Sequence, residues 1–199
     1  MKLVSERENS SHHYETLSEK TLIIKSQAGD TGCYSQLVSL HSSSLMRFLK
    51  ARCHSHHDAE DIFQDTFINA FRYIQSFNYQ YKFSTWLFNI ALNCIKKRNM
   101  KMVREKNEIE QIERAELLLS EQKLPLQSNL WKIISEFLTG EQFDLLWFTY
   151  VEGMTGTQVA DLLGRSLPWV KINLIRIKIM LKSKFIENGL QFDELLEVE

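Results

Sequence analysis

The stretch Asp58–Ser76, which reads DAEDIFQDTFINAFRYIQS, indicates the fold class. Its apolar residues recur at intervals of three and four, the spacing of one helix face. The predicted core stripe is Phe63, Phe67, Ala70, Phe71 and Ile74. Asp61, Gln64 and Asp65 lie off this stripe. The stretch therefore predicts a long amphipathic helix with an acidic side facing solvent.

Composition extends this expectation to the whole chain. Of 199 residues, 44% are hydrophobic and 25% charged, with only 7 Gly and 2 Pro, too few for the turns of an all-β fold. No apolar run approaches the ~20 residues of a membrane span and no signal peptide is evident, so no direct membrane insertion is expected. Three cysteines without a CxxC pair favour reduced thiols and a cytoplasmic location. The fold class is therefore predicted to be all-α.

Changes in composition divide the chain into two small helical domains joined by a flexible linker. The predicted segments are a polar tail 1–18, a first domain 19–100, a linker 101–127, a second domain 128–185 and an acidic tail 186–199. In the first domain, Phe77–Phe83 breaks the helical period and is predicted to be a loop. Ser84 is predicted to cap a further helix that runs to about Lys97.

The second domain carries the pattern of a helix-turn-helix. Thr155 and Gln158 form a Thr-x-x-Gln capping box, Gly164 stands at the turn, and Ser166 can cap the next helix. The core stripe of that helix is Val170, Leu174, Ile177 and Leu181. Two capped helices about a glycine, the second one basic, are typical of DNA-binding units, although a helical hairpin that binds nothing has the same pattern.

Charge is unevenly distributed although the formal net charge is only −1. Residues 93–106 carry six cations and one acid, and residues 165–184 carry six cations and no acid. Residues 58–65 contain four acids and residues 186–199 contain five. Either basic stretch alone is usually a solvated helix face, but two such stretches favour two contacts with a polyanion.

Two strings resemble the second conserved region of bacterial sigma factors: Asp58–Phe67 (DAEDIFQDTF) and Phe83–Asn93 (FSTWLFNIALN). Residues 140–181 resemble the fourth conserved region, and the likeness is to the two-domain extracytoplasmic-function (ECF) group. The chain departs from the usual pattern at Asn89, where relatives carry Arg, and at Pro168–Asn173 (PWVKIN), where relatives read GTVKSR.

The resemblance implies a protein that is not an enzyme and needs no cofactor. It would bind core RNA polymerase, through the β′ clamp coiled coil and the β flap, and read the −10 and −35 elements of promoter DNA. The residues predicted to contact polymerase are Asp58, Glu60, Asp61, Gln64 and Asp65.

The −10 element would be read by the loop and the helix that follows it. Aromatic residues beside Lys82 suit stacking on unpaired bases, although the alternation could also mean a strand or aromatics packed under a loop. Trp86 is predicted to lie in the core. The predicted −10 set is Phe77, Asn78, Tyr79, Tyr81, Lys82, Asn89, Asn93, Lys96, Lys97 and Arg98.

The −35 element would be read by the second helix of the helix-turn-helix. Arg176 could read guanine, Asn173 adenine, and the lysines would hold phosphates. The predicted set is Arg165, Trp169, Lys171, Ile172, Asn173, Arg176, Lys178 and Lys182. Ile172, Ile175 and Ile179 are apolar for a solvent-facing side, and relatives are commonly held by an anti-sigma factor, which would account for all three.

Two other functions remain open on the sequence alone. A transcription regulator that is not a sigma subunit would use only the helix-turn-helix. The cluster Cys53, His54, His56 and His57 offers a possible metal site, and His57-Asp58 resembles a pair found in metal-dependent phosphohydrolases. The DAEDIFQDTF string is explained by neither, so no metal site is predicted.

Overall fold

A computed structural model describes residues 17–53, 55–109 and 126–187, and in these ranges it contains helices and turns but no β-strand. The all-α prediction is confirmed there. Residues 1–16 and 188–199 of the predicted tails and residues 110–125 of the predicted linker lie outside the described residues. No helix in the described ranges is long and apolar enough to cross a membrane.

The chain divides into two compact units between Leu40 and His41, inside a continuous helix. The first unit contains α1 (Glu19–Gln27) and the start of α2 (Thr31–Arg52). Ser18 caps α1 by accepting a hydrogen bond from the Thr21 amide at 3.3 Å. The buried apolar residues of the first unit are Leu22, Ile23, Cys33, Tyr34 and Leu37.

The second unit opens with the rest of α2 and with α3 (His56–Tyr73), which is capped by Ser55. The buried side of α3 is formed by Ala59, Ile62, Thr66, Phe67 and Ala70. The predicted stripe is therefore rotated: Phe71 is 44% exposed, and Thr66 is buried in its place. Thr66 can be buried because its hydroxyl donates to the Ile62 carbonyl at 2.6 Å.

A 3₁₀ turn at Ile74–Ser76 leads through the predicted loop into α4 (Phe83–Ile109), which packs on α3. The predicted helix bounds are wrong at both ends. Ser84 lies inside the first turn rather than at the cap, and α4 continues twelve residues beyond Lys97. The extension RNMKMVREKNEI contains no Gly or Pro and several strong helix formers, so nothing local ends the helix.

The remaining helices are α5 (Leu126–Phe137), α6 (Gly140–Leu146), a π-helical turn (Trp147–Val151), α7 (Gly156–Leu163) and α8 (Leu167–Glu187). The predicted Thr155–Gln158 capping box is present, and Gly164 adopts a left-handed φ of 64° that favours glycine. Ser166 accepts from the Trp169 amide at 3.3 Å. The predicted helix-turn-helix geometry is therefore confirmed.

Buried aromatic rings join the two parts of the second unit. Phe48 of α2 packs against Phe148 with ring centroids 5.2 Å apart, and Phe88 of α4 lies 5.1 Å from the same ring. Phe48 and Phe148 are fully buried. Helices before and after residues 110–125 thus share one core.

Candidate nucleic-acid interface

The solvent-facing side of α3 is a mixed acidic and apolar surface, which we call the α3 face: Glu60, Asp61, Gln64, Asp65, Ile68, Phe71 and Arg72. At 100° per residue these positions span an arc of about 140°. Ile68, near the middle of this arc, is 55% exposed, and Phe71, nearer one edge, is 44% exposed. Sequence reasoning found the acids but missed both apolar residues, since it assigned Phe71 to the core.

The Arg98 side chain of α4 forms ion pairs with α3. Its guanidinium contacts Asp58 Oδ1 at 2.5 Å and Asp61 Oδ2 at 2.9 Å. Partial burial raises the pKa of Asp58, but hydrogen bonds from Ser55 and Arg98 outweigh burial, so its pKa lies below the usual value. Arg98, which is predicted to contact DNA, therefore lies between two carboxylates that compete with phosphate for it, and its charge offsets part of the acidity of Asp58 and Asp61.

Two exposed histidines lie beside acids of the α3 face. His56 Nδ1 lies 3.3 Å from Glu60, and His57 Nδ1 lies 3.3 Å from Asp61. Of the predicted polymerase-contacting residues, Gln64 and Asp65 are exposed without sharing these contacts. They are the strongest polar candidates on the α3 face.

The loop before α4 exposes two tyrosine side chains and buries the phenylalanine side chain that precedes them. Tyr79 and Tyr81 are 51% and 44% exposed, whereas Phe77 is only 5% exposed. Phe77 packs edge-on against Phe83 and Trp86, each with centroids 5.5 Å away. Phe77 therefore supports the loop from below and is withdrawn from the base-contacting set. Trp86 is half-buried, which fits its predicted core role in part.

A cleft of about 220 Å³ opens beside Tyr81. Its lining includes Asn78, Tyr81, Trp86 and Asn89, together with Asp161 of α7. The volume is small beside the ~300–1,000 Å³ of drug-sized pockets and suits a single planar ring. The Tyr81 hydroxyl donates to Asp161 Oδ2 at 3.3 Å, so the loop and α7 meet at the rim.

The polar residues of α4 lie along one exposed side. Asn93 donates from Nδ2 to Asn89 Oδ1 at 3.0 Å, which orients both amides. Lys82, Lys96 and Lys97 are exposed. Three cations and two amides of the predicted −10 set are therefore exposed to solvent.

The exposed side of α8 carries part of the predicted −35 set. Lys171, Ile172, Arg176 and Lys182 are exposed. Asn173 donates to the Trp169 carbonyl at 2.9 Å, and Lys178 lies over the Tyr150 ring at 5.1 Å. Arg165 pairs with Glu141 at 2.7 Å and lies 5.2 Å from the centre of the Trp169 ring. These last four side chains have internal contacts that compete with DNA.

An ion pair that sequence reasoning did not find links α2 to α6. Arg52 Nε donates to Asp144 Oδ1 at 2.7 Å, and the Asp144 side chain is 8% exposed. Burial raises the pKa of Asp144, and the nearby Arg52 charge opposes that rise. Glu152 accepts from Ser44 Oγ at 3.0 Å and from Trp147 Nε1 at 3.1 Å in the same junction.

Metal ligation finds no support within the ranges described. No group of three His, Cys, Asp or Glu residues there is placed to hold an ion, and His54 lies outside them. Burial raises the pKa of Cys53 to about 11, which disfavours the thiolate that binds metals.

Comparison with known proteins gives a family match for the part of the chain that contains the α3 face. Residues 37–102 match the family model of sigma-70 region 2, which covers α3, the loop and most of α4. The chain is 37% identical over 82 residues to an ECF RNA polymerase sigma-E factor of Haemophilus influenzae, covering 41% of this chain and 43% of the relative. The chain thus spans less than half the length of that relative.

Two further likenesses extend beyond region 2. An RNA polymerase sigma factor, NccH, of Alcaligenes xylosoxydans xylosoxydans is 28% identical over 173 residues, covering 82% of this chain and 92% of the relative. The solved complex of CnrH with the cytosolic domain of CnrY aligns with a TM-score of 0.64 at 21% identity, covering 85% of this chain and 97% of the solved one. That alignment shows a common fold.

Residues 37–102 thus match sigma-70 region 2. Over the aligned part, the chain is similar to ECF RNA polymerase sigma factors.

Proposed function

We propose that the chain is an alternative sigma factor, which binds core RNA polymerase, recognises −10 and −35 promoter elements and starts transcription of a specific set of genes. The observation that carries this is the joint presence, within one matched region 2, of the α3 face and of a loop with two exposed tyrosines, one of which lines a small cleft. Such a subunit acts by binding alone, without a cofactor or catalytic residue, and works in the cytoplasm where polymerase is.

Polymerase binding is assigned to the α3 face. A surface that mixes exposed apolar and acidic side chains suits a basic helical partner, because the apolar side chains supply affinity and the acids steer encounter. Ile68 and Phe71 are the apolar residues, and Glu60, Gln64 and Asp65 are the polar ones beside them. We assign the β′ clamp coiled coil to this face and the β flap to the second domain.

Promoter opening is assigned to the loop. Each unpaired base that stacks on an aromatic ring gains roughly 1–3 kcal/mol. Tyr79 and Tyr81 are the exposed rings, and the cleft beside Asn89 offers amide groups to a base edge. Lys82, Lys96 and Lys97 would hold phosphates, which gives affinity without sequence information.

The −35 element is assigned to α8. Arg176 is exposed and has the geometry to bond guanine with two hydrogen bonds, while Lys171 and Lys182 suit phosphates. The departures from the usual recognition-helix sequence bear on which promoter is read. An anti-sigma factor is the regulatory partner we expect, as in the solved complex of the sigma factor RpoE with the anti-sigma factor NepR from Bartonella quintana.

Transcription by purified core polymerase tests the whole proposal. Core plus this chain should start from promoters of its own genes, whereas a free-standing helix-turn-helix regulator should not support initiation with core alone. Asp65→Lys combined with Ile68→Asp should reduce core binding at least tenfold, because it reverses the charge of one acid and buries a carboxylate in the interface.

A matched control separates docking from general charge effects. Glu19→Lys changes an exposed acid on α1, outside every surface assigned above, and should leave core affinity unchanged. Asp61 is unsuitable for this test because its loss also removes a partner of Arg98. Unchanged core affinity in a folded Asp65→Lys, Ile68→Asp variant would rule out the α3 face as the docking site.

A further inference from the structure

The exposed side of α8 carries a row of isoleucines. Ile172, Ile175, Ile179 and Ile186 are 49%, 60%, 66% and 65% exposed. At 100° and 1.5 Å per residue, they fall within about 60° of one another and extend over about 21 Å. Soluble proteins seldom leave such a continuous apolar row to water, so the row points to an occupant.

Cations flank this row and no acid interrupts it. Lys171 and Lys182 are exposed along one edge and Arg176 along the other. Between Arg165 and Lys184 the chain contains no Asp or Glu. The face therefore suits an acidic partner that also carries apolar side chains.

The chain itself contains such a partner directly after α8. Residues 188–199 read NGLQFDELLEVE, with four acids and no cation. Phe192, Leu195 and Leu196 have the i, i+3, i+4 spacing of an apolar helix face. Gly189 can adopt the backbone conformations that reverse a chain after a helix.

The segment is long enough to reach the row. Ile172 lies fifteen residues before Glu187 on α8, or about 22 Å. Twelve residues span about 18 Å as a helix and up to about 40 Å when extended. Folded back along α8, the segment is long enough to reach beyond Ile179 in either conformation. When extended, it also reaches beyond Ile172.

We propose that in the free protein residues 188–199 fold back onto the isoleucine row of α8, with Phe192, Leu195 and Leu196 on the isoleucines and the acids beside the lysines. The contact itself does not depend on the proposed function. Its consequence does: because the same side of α8 is assigned to −35 DNA, DNA or a protein partner must first displace the segment.

Methyl NMR on the full chain tests the contact directly. With isoleucine δ1-methyl labelling, removal of residues 188–199 should shift the signals of Ile172, Ile175, Ile179 and Ile186 but not of Ile177, which is buried on the other side of α8. Phe192→Ser with Leu195→Ser in the full-length chain should reproduce these shifts, and Asp193→Asn with Glu194→Gln should weaken their dependence on salt.

The DNA consequence is measured separately by fluorescence anisotropy with a 30-base-pair duplex. Because residues 188–199 are tethered to α8, their effective concentration at the isoleucine row is millimolar. Even weak docking then covers the row in a moderate to large share of the molecules. Deleting the segment should therefore raise DNA affinity about two- to tenfold. The double serine variant should do the same while keeping every acid.

The outcomes are distinguishable. Unchanged isoleucine signals after deletion overturn the proposal, and signals that change only with protein concentration overturn it in favour of a second copy on the row. Shifted methyls with unchanged DNA affinity overturn the competition and count against α8 as the −35 reader, while leaving the polymerase-binding test untouched.

Discussion

Gly140→Ala is expected to destabilise the protein although alanine normally favours a helix. Gly140 is the first residue of α6, and the Arg52 guanidinium lies directly over its Cα, where a Cβ would overlap it. The guanidinium is the end of a flexible side chain and can move. Moving it, however, takes it away from Asp144, which it contacts at 2.7 Å.

The size of the effect follows from two opposing contributions. Replacing glycine by alanine in a helix stabilises by roughly 0.5–1 kcal/mol. Leaving one member of a buried ion pair without its partner costs about 3–5 kcal/mol. Since Arg52 and Asp144 side chains are only 17% and 8% exposed, the second contribution dominates. The expected net loss is about 2–4 kcal/mol.

Urea unfolding of a double-mutant cycle measures this directly. In an Arg52→Met background no guanidinium is displaced, so Gly140→Ala should be neutral or stabilising by up to about 1 kcal/mol. Equal destabilisation in both backgrounds would refute the reasoning, because the cost would then have nothing to do with Arg52.

The same cycle has a pH signature with a definite sign. Burial raises the pKa of Asp144, so the folded state binds the proton more readily than the unfolded state. That contribution to stability is present at low pH and is lost as pH rises through the folded-state pKa. Arg52→Met removes the opposing charge, so its destabilisation should be larger at pH 8 than at pH 5.

Three further predictions concern the assigned surfaces. Arg98→Ala should lower the free energy of unfolding by about 1–2 kcal/mol, because its carboxylate partners are partly solvated. It should leave the salt dependence of DNA binding unchanged. Lys97→Ala should reduce that salt dependence without affecting stability. Tyr79→Ala with Tyr81→Ala should abolish promoter melting in permanganate footprinting while Gln80→Ala does not; normal melting would remove the loop from the mechanism. Arg176→Ala should relax preference at one −35 position by roughly 1–3 kcal/mol, and Lys182→Ala should weaken all sequences alike; identical profiles across a promoter library would contradict the assignment.

The helix-turn-helix was predictable because its signals are local. Each of its signals depends on residues no more than four positions away in the sequence. The structure shows the Thr155–Gln158 box, Gly164 and Ser166 in their predicted roles. The second capping box, at Thr139 and Gln142, has the same pattern and could have been found in the same way.

The errors arise where a residue's environment is set by distant chain segments. Period alone does not say which side of α3 meets α4, so the predicted stripe includes the exposed Phe71 and omits the buried Thr66. A basic run does not reveal that Arg98 faces two carboxylates forty and thirty-seven positions earlier. The Arg52–Asp144 pair joins residues ninety-two positions apart, and no local pattern marks it.

The junction between the two DNA-reading parts constrains how the proposed sigma factor works. Elements at −10 and −35 are about 25 base pairs apart, or about 85 Å at 3.4 Å per base pair. In the structure, however, Tyr81 of the loop lies 3.3 Å from Asp161 of α7. Both elements are therefore within reach only after the junction at Phe48, Phe148 and Arg52–Asp144 has separated. Separation exposes fully buried rings and a buried ion pair, so it needs an external source of binding free energy. Under the proposed function that source is core polymerase, and the free protein should bind a two-element promoter no better than the −35 half alone.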